Sequence, residues 1–218
     1  MTIGFQVRSL NQMLTNLSQS ATWEKASLCP CKVKRTGGAD TQCPICRGNS
    51  IIWAIPIGCR VSLQSMKTNR DFAMFTAWEK GDIMVTLISD SDAYDAGEFD
   101  RFTLMDSKLR LDQVLTRGSS DTIKYSSVVG IDEAWGIVNG LRVDLTQGVD
   151  FTLTNNLITW LTNVLPIGNQ YSLMYVAHPQ YYVYRDLVMD RPHGSRTLPR
   201  KVHLRLMELF SRALVVTQ

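Results

Sequence analysis

The sequence lacks the short motifs that mark common enzyme classes. It contains no G-x-x-x-x-G-K-[ST] phosphate loop, no H-E-x-x-H metalloprotease helix and no G-x-S-x-G nucleophile elbow. Histidine is scarce, and His178, His193 and His203 show no spacing with cysteine or carboxylate residues that would make them a ligand set. We interpret each histidine as a surface or capping residue. We therefore expect a protein that is not an enzyme.

Long apolar runs are also missing. The longest, residues 51–57, contains Pro56 and is far shorter than the roughly 20 residues that span a bilayer. The start, Met-Thr-Ile-Gly-Phe-Gln, lacks the basic region and apolar core of a secretory signal. We expect no membrane association and no route to an oxidising compartment. At 218 residues with 44% hydrophobic and 20% charged residues, the chain fits one elaborated domain or two small ones.

Cysteine, by contrast, is concentrated. Four of the five cysteines lie within 18 residues, as Cys29-Pro30-Cys31 and Cys43-Pro44-Ile45-Cys46, with Gly48 close behind. The second pair is typical of a zinc knuckle, in which a tight turn places two thiolates on one ion, whereas the first pair is one residue shorter than the usual spacing. We predict a zinc site formed by Cys29, Cys31, Cys43 and Cys46. Four sulfurs would fill the coordination sphere, so the site would be structural.

Two other states of the four thiols stay open: two disulfides, or free thiols or an iron–sulfur cluster. The fifth cysteine, Cys59, is interpreted as a small buried apolar residue.

Charge is nearly balanced. The formal net charge is +3, and four thiolates with one zinc ion would lower it to +1, so the chain is not expected to bind polyanions generally. Basic residues surround the cysteines and would offset the charge of the thiolates, or would contact nucleic-acid phosphates if the knuckle bound nucleic acid. These residues are Lys25, Lys32, Lys34, Arg35 and Arg47.

The rest of the chain indicates a mainly β fold. Apolar spacing predicts a short amphipathic helix over residues 5–18, which would pack on this chain or on a neighbouring subunit. Alternation predicts strands over residues 60–65, 72–78 and 83–88, with Gly81 in a hairpin. Residues 125–184 read as consecutive strands and turns, with a type I′ turn at Asn155-Asn156.

These patterns predict β-barrel and β-sandwich units with a short N-terminal helix and a zinc-knuckle segment. The predicted domains are 1–50 (helix and zinc-binding segment), 51–124 (β-barrel-like domain), 125–190 (small β-sandwich) and 191–218 (basic C-terminal arm). Residues 89–100 form an acidic loop that departs from the EF-hand pattern, and we interpret it as solvated or as a contact for a basic partner. The basic arm would dock on the protein, pair with acidic loops of neighbouring subunits or contact DNA.

Several stretches resemble neck proteins of tailed bacteriophages, which are head-to-tail connector subunits. They are Gly-Val-Asp-Phe at 148–151, Leu-Ile-Thr-Trp at 157–160, Pro-Ile-Gly-Asn-Gln-Tyr-Ser-Leu-Met-Tyr at 166–175 and Pro-Gln-Tyr-Tyr-Val at 179–183. Cys43, Pro44, Cys46 and Gly48 are similar to a Cys-Pro-x-Cys-x-Gly element near the N-terminus of several such proteins. The resemblance covers roughly half of the chain.

The resemblance implies a virion structural protein that forms a homo-oligomeric ring. The ring would join the portal side of the capsid to the tail and surround the packaged DNA, with the portal or another neck protein and tail proteins as partners. The implied location is the virion, and the host cytoplasm during assembly. A baseplate or tail-terminator subunit is the alternative of the same class, and a zinc-dependent nucleic-acid-binding module is the alternative of another class.

Overall fold

The computed structural model describes residues 6–31, 40, 42–46, 48–63, 81–124, 127–154, 156–186 and 197–207. Within these residues the chain forms one α-helix, α1 (Val7–Asn16), a 3-10 helix at Asp92–Asp95 and fifteen strands. The strands are β1 (Gln19–Glu24), β2 (Ala26–Leu28), β3 (Ile51–Trp53), β4 (Ile57–Leu63), β5 (Ile83–Leu87), β6 (Arg101–Leu104), β7 (Leu109–Thr116), β8 (Ser120–Thr122), β9 (Val128–Val138), β10 (Leu141–Asp144), β11 (Phe151–Thr154), β12 (Leu157–Trp160), β13 (Gln170–Ala177), β14 (Gln180–Asp186) and β15 (Arg200–Leu206).

The fold class agrees with the prediction: the protein is mainly β, with a short N-terminal helix, a six-stranded barrel and a cysteine cluster. The chain divides into two compact units. The barrel unit comprises Met1–Asp106 and Gln180–Gln218, and the sandwich unit comprises Ser107–Pro179. Within the described part of the chain, no helix has the length and apolar character needed to cross a bilayer.

The barrel unit is built around a closed barrel in the order β1-β4-β5-β15-β14-β6, and every neighbouring pair is antiparallel. Its interior is filled by side chains from all six strands, among them Val61, Val85, Phe102 and Leu204, each fully buried. A two-stranded ribbon, β2 paired with β3, leaves this barrel directly after β1. We call residues 26–53 the ribbon segment.

The sandwich unit packs two antiparallel sheets face to face. One sheet has the order β10-β9-β13-β7 and the other β11-β12-β8. Their inner faces share one apolar core, in which Phe151 and Ile158 of one sheet meet Tyr171 and Leu173 of the other. Strand β13 alternates between buried and half-buried residues along its length, because successive side chains of a strand point to opposite faces.

The predicted domain boundaries differ from this division. Each predicted domain is one continuous stretch of the chain, whereas the barrel contains strands from before and after the sandwich unit. Part of the region predicted as a basic arm is strand β15, which pairs with β5 and β14 inside the barrel. The physical reason is that hydrogen-bonded strand partners lie up to 121 positions apart in the chain, and alternation reveals a strand without naming its partner.

The local predictions fared better. The predicted helix contains α1, and strands β4 and β5 overlap two of the three strands predicted in residues 60–88. The third, residues 72–78, lies outside the described residues. Gly81 has a φ of 98°, as its predicted role in a turn requires. Strand β1 was not predicted, since its six residues carry only a brief alternation.

The two hairpin turns of the sandwich unit differ from the prediction. Strands β11 and β12 do form a hairpin around residues 155–156, with Thr154 opposite Leu157. Asn155 lies outside the described residues, and Asn156 does not have the positive φ that a type I′ turn requires, so this assignment was wrong. The type I′ values occur instead at Asn139 and Gly140, with φ of 51° and 78°, in the turn between β9 and β10.

Candidate metal centre

Two arms of the ribbon segment bring the four predicted ligands together. Cys29 and Cys31 follow the end of β2, and Cys43 and Cys46 precede β3. The β2–β3 ladder pairs Leu28 with Ile51, and the backbone N–H of Cys29 donates to the carbonyl oxygen of Ser50 over 2.7 Å. The ladder therefore fixes the first arm against the second at the point where the cysteines begin.

The second arm has the backbone of a tight turn. The N–H of Asn49 donates to the carbonyl oxygen of Cys46 over 3.0 Å, and Gly48 has a φ of 85°. A positive φ is readily accessible to glycine, which has no Cβ, and Gly48 thus lets the chain turn away behind the thiols. Ser50 also has a positive φ, 61°, just before the chain enters β3.

The sulfur atoms are close enough to share one ion. All four Sγ atoms lie within 4.8 Å of one another, with 3.8 Å between Cys29 and Cys43 and 3.2 Å between Cys31 and Cys46. A tetrahedral thiolate site with metal–sulfur bonds of about 2.3 Å has sulfur–sulfur edges of about 3.8 Å. The cluster thus fits a tetrahedral metal ion after shifts of at most about an ångström.

The donor set is sulfur only. Among the described residues, no histidine or carboxylate joins the four cysteines, and all of them carry free thiols rather than disulfides. Cys29, Cys43 and Cys46 are 6%, 7% and 4% exposed, whereas Cys31 is half-buried. The group is compatible with a metal ion that has no open position for a substrate or a reactive water.

Hydrogen bonding within the cluster gives the thiols of Cys31 and Cys46 different pKa values. Its hydrogen bond with Cys46 raises the pKa of the Cys31 thiol to about 12. Burial opposes ionisation of Cys46, but hydrogen bonds from Cys31 and from the backbone at Gly48 and Ser50 outweigh it and lower the pKa of Cys46 to about 7. The two thiols thus differ in acidity, and a cation that binds both as thiolates would displace their protons.

A buried carboxylate ties the start of the ribbon segment to the barrel. Asp100 is 2% exposed and accepts hydrogen bonds from Trp23 Nε1 at 2.8 Å, from the backbone N–H of Ala26 at 2.7 Å and from that of Gly97 at 3.0 Å. Trp23 is in β1 and Ala26 opens β2, so one side chain fixes the junction between barrel and ribbon. The prediction that the acidic loop is solvated or an interface is therefore wrong for Asp100.

Arginine and tryptophan side chains strengthen the same junction. The guanidinium of Arg101 pairs with the buried carboxylate of Glu24 and lies over the ring of Trp53, 4.6 Å from its centroid. Trp53 Nε1 donates to the carbonyl oxygen of Phe99 over 3.0 Å. The end of the ribbon next to the barrel, at Trp53, is thus held by stacking and by hydrogen bonds, while the cysteines hold the free end.

Most of the basic residues predicted around the cluster lie outside the described residues: Lys32, Lys34, Arg35 and Arg47. Lys25 is described and its side chain is exposed. In the acidic loop, the side chains of Asp90, Asp92, Asp95 and Glu98 are exposed, as expected of a solvated loop.

One histidine is not where it was predicted. His203 is 1% exposed rather than at the surface, and its Nε2 lies 2.9 Å from the carboxylate of Asp82. Arg205 binds the same carboxylate at 3.0 Å, and its guanidinium lies 3.7 Å from the centroid of the Tyr184 ring. The side chain of His178 is half-buried, and its Nδ1 lies 2.9 Å from the carbonyl oxygen of Ser107. His193 lies outside the described residues.

Sequence reasoning missed the buried carboxylates. Asp82 pairs with residues more than 120 positions away, and Asp121 accepts from Tyr171 Oη and Trp160 Nε1, each at 2.9 Å. Nothing in the local sequence separates such an aspartate from a solvated one. The only signal in the sequence is that these aspartates lie next to short strands with alternating apolar residues. A neighbouring strand can bury a carboxylate at such a position.

No family model matches this chain, and no curated protein matches it.

Proposed function

We propose that the ribbon segment binds one structural Zn²⁺ ion through Cys29, Cys31, Cys43 and Cys46. The observation that carries this proposal is the sulfur-only cluster. Three of its four ligands are buried, and no described histidine or carboxylate belongs to it. Soft thiolates in a tetrahedral arrangement favour zinc over harder cations such as Mg²⁺ or Ca²⁺. The ion takes no part in a reaction, because four protein ligands occupy its whole coordination sphere.

The protein itself is a structural subunit that forms a ring in the neck of a tailed bacteriophage, between the portal side of the capsid and the tail and around the DNA. The resemblance supports this part of the proposal. Its motifs fall on consecutive elements: residues 148–151 lead into β11, residues 157–160 are β12, residues 166–175 turn into β13 and residues 179–183 lead into β14. The matched stretches thus fall at four successive strands of the chain, β11 to β14.

The surface of the sandwich unit supports a role in assembly. Large apolar side chains are exposed on it, among them Leu141 at the start of β10 at 72%, Val149 between β10 and β11 at 62% and Ile167 between β12 and β13 at 73%. Exposed apolar groups of this size favour contacts with other protein chains. A ring subunit needs such contacts with its own copies, with the portal or another neck protein, and with tail proteins.

Native mass spectrometry of the purified protein tests both parts in one spectrum. We expect one zinc ion per chain and a discrete closed oligomer, whose central channel electron microscopy of the same sample would show. A chain that carries no metal when purified under reducing conditions with added zinc contradicts the metal proposal. A monomer that forms no ring even when mixed with portal and tail proteins contradicts the neck proposal.

A matched pair of variants separates metal binding from general damage. Cys43→Ser removes a ligand, whereas Cys59→Ser removes the thiol that packs against the barrel core outside the cluster. Only the first should lose zinc. Binding to DNA that weakens steeply with salt and depends on Lys32, Lys34 and Arg35 would instead favour the nucleic-acid-binding module.

A further inference from the structure

Two hydrogen-bonded pairs occur among the four thiols, and each pair joins the two arms of the ribbon segment. Cys29 and Cys43 lie 3.8 Å apart and Cys31 and Cys46 lie 3.2 Å apart, measured between Sγ atoms. The paired residues are separated by 14 and 15 positions in the chain. A bond within either pair would therefore close the same loop that a shared metal ion closes.

We propose that the ribbon segment has two interchangeable closed forms: a metal-bound thiolate form, and an oxidised form with the disulfides Cys29–Cys43 and Cys31–Cys46. Oxidation then releases the metal without opening the segment. This inference rests on the metal-binding part of the proposed function and is independent of the phage-neck part. It concerns the state of the segment when the protein passes from a reducing to an oxidising environment.

A peroxide supplies the oxidising equivalents. One thiolate of a pair attacks a peroxide oxygen, the O–O bond breaks, and a sulfenic acid and a hydroxide ion form. The partner thiolate then attacks the sulfenic sulfur and displaces a second hydroxide ion, which leaves an S–S bond. Each pair gives up two electrons and consumes one peroxide, and the divalent ion leaves because disulfide sulfurs no longer carry the negative charge that held it.

Exposure sets the order of the two steps. Cys31 is the half-buried member of the cluster, while Cys29, Cys43 and Cys46 are at most 7% exposed. An oxidant in solution meets Cys31 first, and the sulfur of Cys46 lies within hydrogen-bond distance of it, at 3.2 Å. The Cys31–Cys46 bond therefore forms first, and Cys29–Cys43 follows as the ion is lost.

Pairing across the arms matters because bonds within one arm would not hold the segment. A Cys43–Cys46 disulfide links two positions of one turn, and a Cys29–Cys31 bond links two positions of one arm, so neither joins the arms. Disulfides between the two arms instead close the loop and restrict the conformations that it can adopt when unfolded. The oxidised segment then keeps the β2–β3 ladder, including the bond from the Cys29 N–H to the Ser50 oxygen.

Titration of the reduced, zinc-loaded full chain with hydrogen peroxide tests the proposal. We expect the loss of four thiols and the release of the bound zinc, followed with a chromogenic chelator, for two equivalents of peroxide consumed. The Cys59→Ser variant is used throughout so that the fifth thiol does not contribute. Amide exchange of residues 26–31 and 48–53 should stay slow in the oxidised form and become fast only after a reductant and a chelator are added together.

Trypsin distinguishes cross-arm from local bonds. Cleavage after Lys25 and Lys32 isolates residues 26–32, which contain Cys29 and Cys31, and cleavage after Arg35 and Arg47 isolates residues 36–47, which contain Cys43 and Cys46. Cross-arm disulfides join these two peptides in the unreduced digest. Two separate peptides that each carry an internal disulfide, sulfinic acids, or crosslinked chains would overturn the proposal.

Two-cysteine variants identify the partners. The double variant Cys31→Ser with Cys46→Ser retains the predicted pair Cys29 and Cys43, and Cys29→Ser with Cys43→Ser retains Cys31 and Cys46. The mismatched control, Cys31→Ser with Cys43→Ser, retains Cys29 and Cys46. The matched variants should crosslink faster than the control, and equal rates would overturn the stated pairing. A reduced chain that binds no zinc but still forms the matched bonds would disprove the metal proposal and the exchange between the two forms, while the pairing of the thiols would stand.

Discussion

The ribbon segment and the sandwich unit achieve a defined structure by different means. Ten of the described residues of the sandwich unit are buried in one apolar core shared by two sheets. In the ribbon segment the buried cluster at the free end consists of cysteines with Ile52 packed against them, and the apolar side chains of Leu28 and Ile45 are 80% and 66% exposed. A segment that buries little apolar surface needs a crosslink, whereas two sheets that face one another do not.

Removal of the metal should have the largest effect on stability. The effect should be confined to the ribbon segment. Cys46→Ser, or a strong chelator, is expected to abolish tight metal binding, which contributes on the order of 10 kcal/mol in small structural zinc sites. Hydrogen exchange should become fast at residues 42–53 and stay slow in strands β9 and β13. Cys59→Ser is the control, and an unchanged exchange pattern in the Cys46→Ser variant would mean that the ribbon segment holds its own structure.

Truncation of a side chain in the sandwich core should lower the stability of the sandwich unit instead. Ile158 is fully buried between the two sheets, so Ile158→Ala removes packed methyl groups and should lower the free energy of unfolding of that unit by about 2–5 kcal/mol. Its neighbour Leu157 is 39% exposed, and Leu157→Ala should cost less than about 1 kcal/mol. Urea unfolding measures both. A loss of bound metal in Ile158→Ala would show that the two regions are not independent.

Two buried aspartates sharpen the comparison, since each accepts three hydrogen bonds in a different unit. Asp100→Ala leaves Trp23 Nε1 and two backbone N–H groups without their acceptor, and Asp121→Ala does the same to Gly118 N–H, Trp160 Nε1 and Tyr171 Oη. Each lost acceptor leaves a donor unsatisfied, and we expect each variant to lose about 1–3 kcal/mol or more. Only Asp100→Ala should weaken metal affinity in a competition with a chelator, because Ala26 opens the ribbon segment. Equal metal affinity in both variants would contradict the coupling.

A glycine in the sandwich tests how tightly its core is packed. A Cβ added at Gly136 would lie 2.6 Å from Leu165 Cδ1, so Gly136→Ala should cost about 1–3 kcal/mol through overpacking. Gly130 lies in the same strand, β9, and a Cβ there would have no atom within 4 Å. Gly130→Ala should leave the thermal midpoint nearly unchanged. Equal midpoints for the two variants would show that Leu165 yields easily.

The effect that is smallest near neutral pH concerns the fifth thiol, which packs instead of binding metal. Burial, with a contribution from Asp92, raises the pKa of Cys59 from 9.0 to about 12. Below pH 9 the thiol is protonated in both states, so it adds no pH dependence. Between pH 9 and 12 the unfolded state releases the proton and the folded state keeps it, so stability falls as pH rises, by less than about 1.4 kcal/mol per pH unit. Cys59→Ser should show a shallower decline in urea titrations over that range, and parallel curves would contradict the shift.

Several features could be predicted from the sequence because their causes are local. The cysteine cluster follows from short spacings that bring sulfurs together within one turn, and Gly48 marks the turn. Strand β13 alternates in burial, and it lies in the region 125–184 that the sequence predicts to form strands and turns. The helix α1 was readable from the spacing of its apolar residues for the same reason.

What the sequence by itself determined is therefore the mainly β character of the chain, several of its strands, the hairpin between β11 and β12 and the identity of the clustered thiols. Only the tertiary structure decided that β15 closes the barrel between β5 and β14, that Asp100 holds the ribbon junction and that His203 lies beneath the surface against Asp82. The physical reason is that a strand has unpaired N–H and C=O groups on both edges and can pair with any other strand. The choice among partners, and with it the burial of each charged side chain, is made by the packing of residues that are distant in the chain.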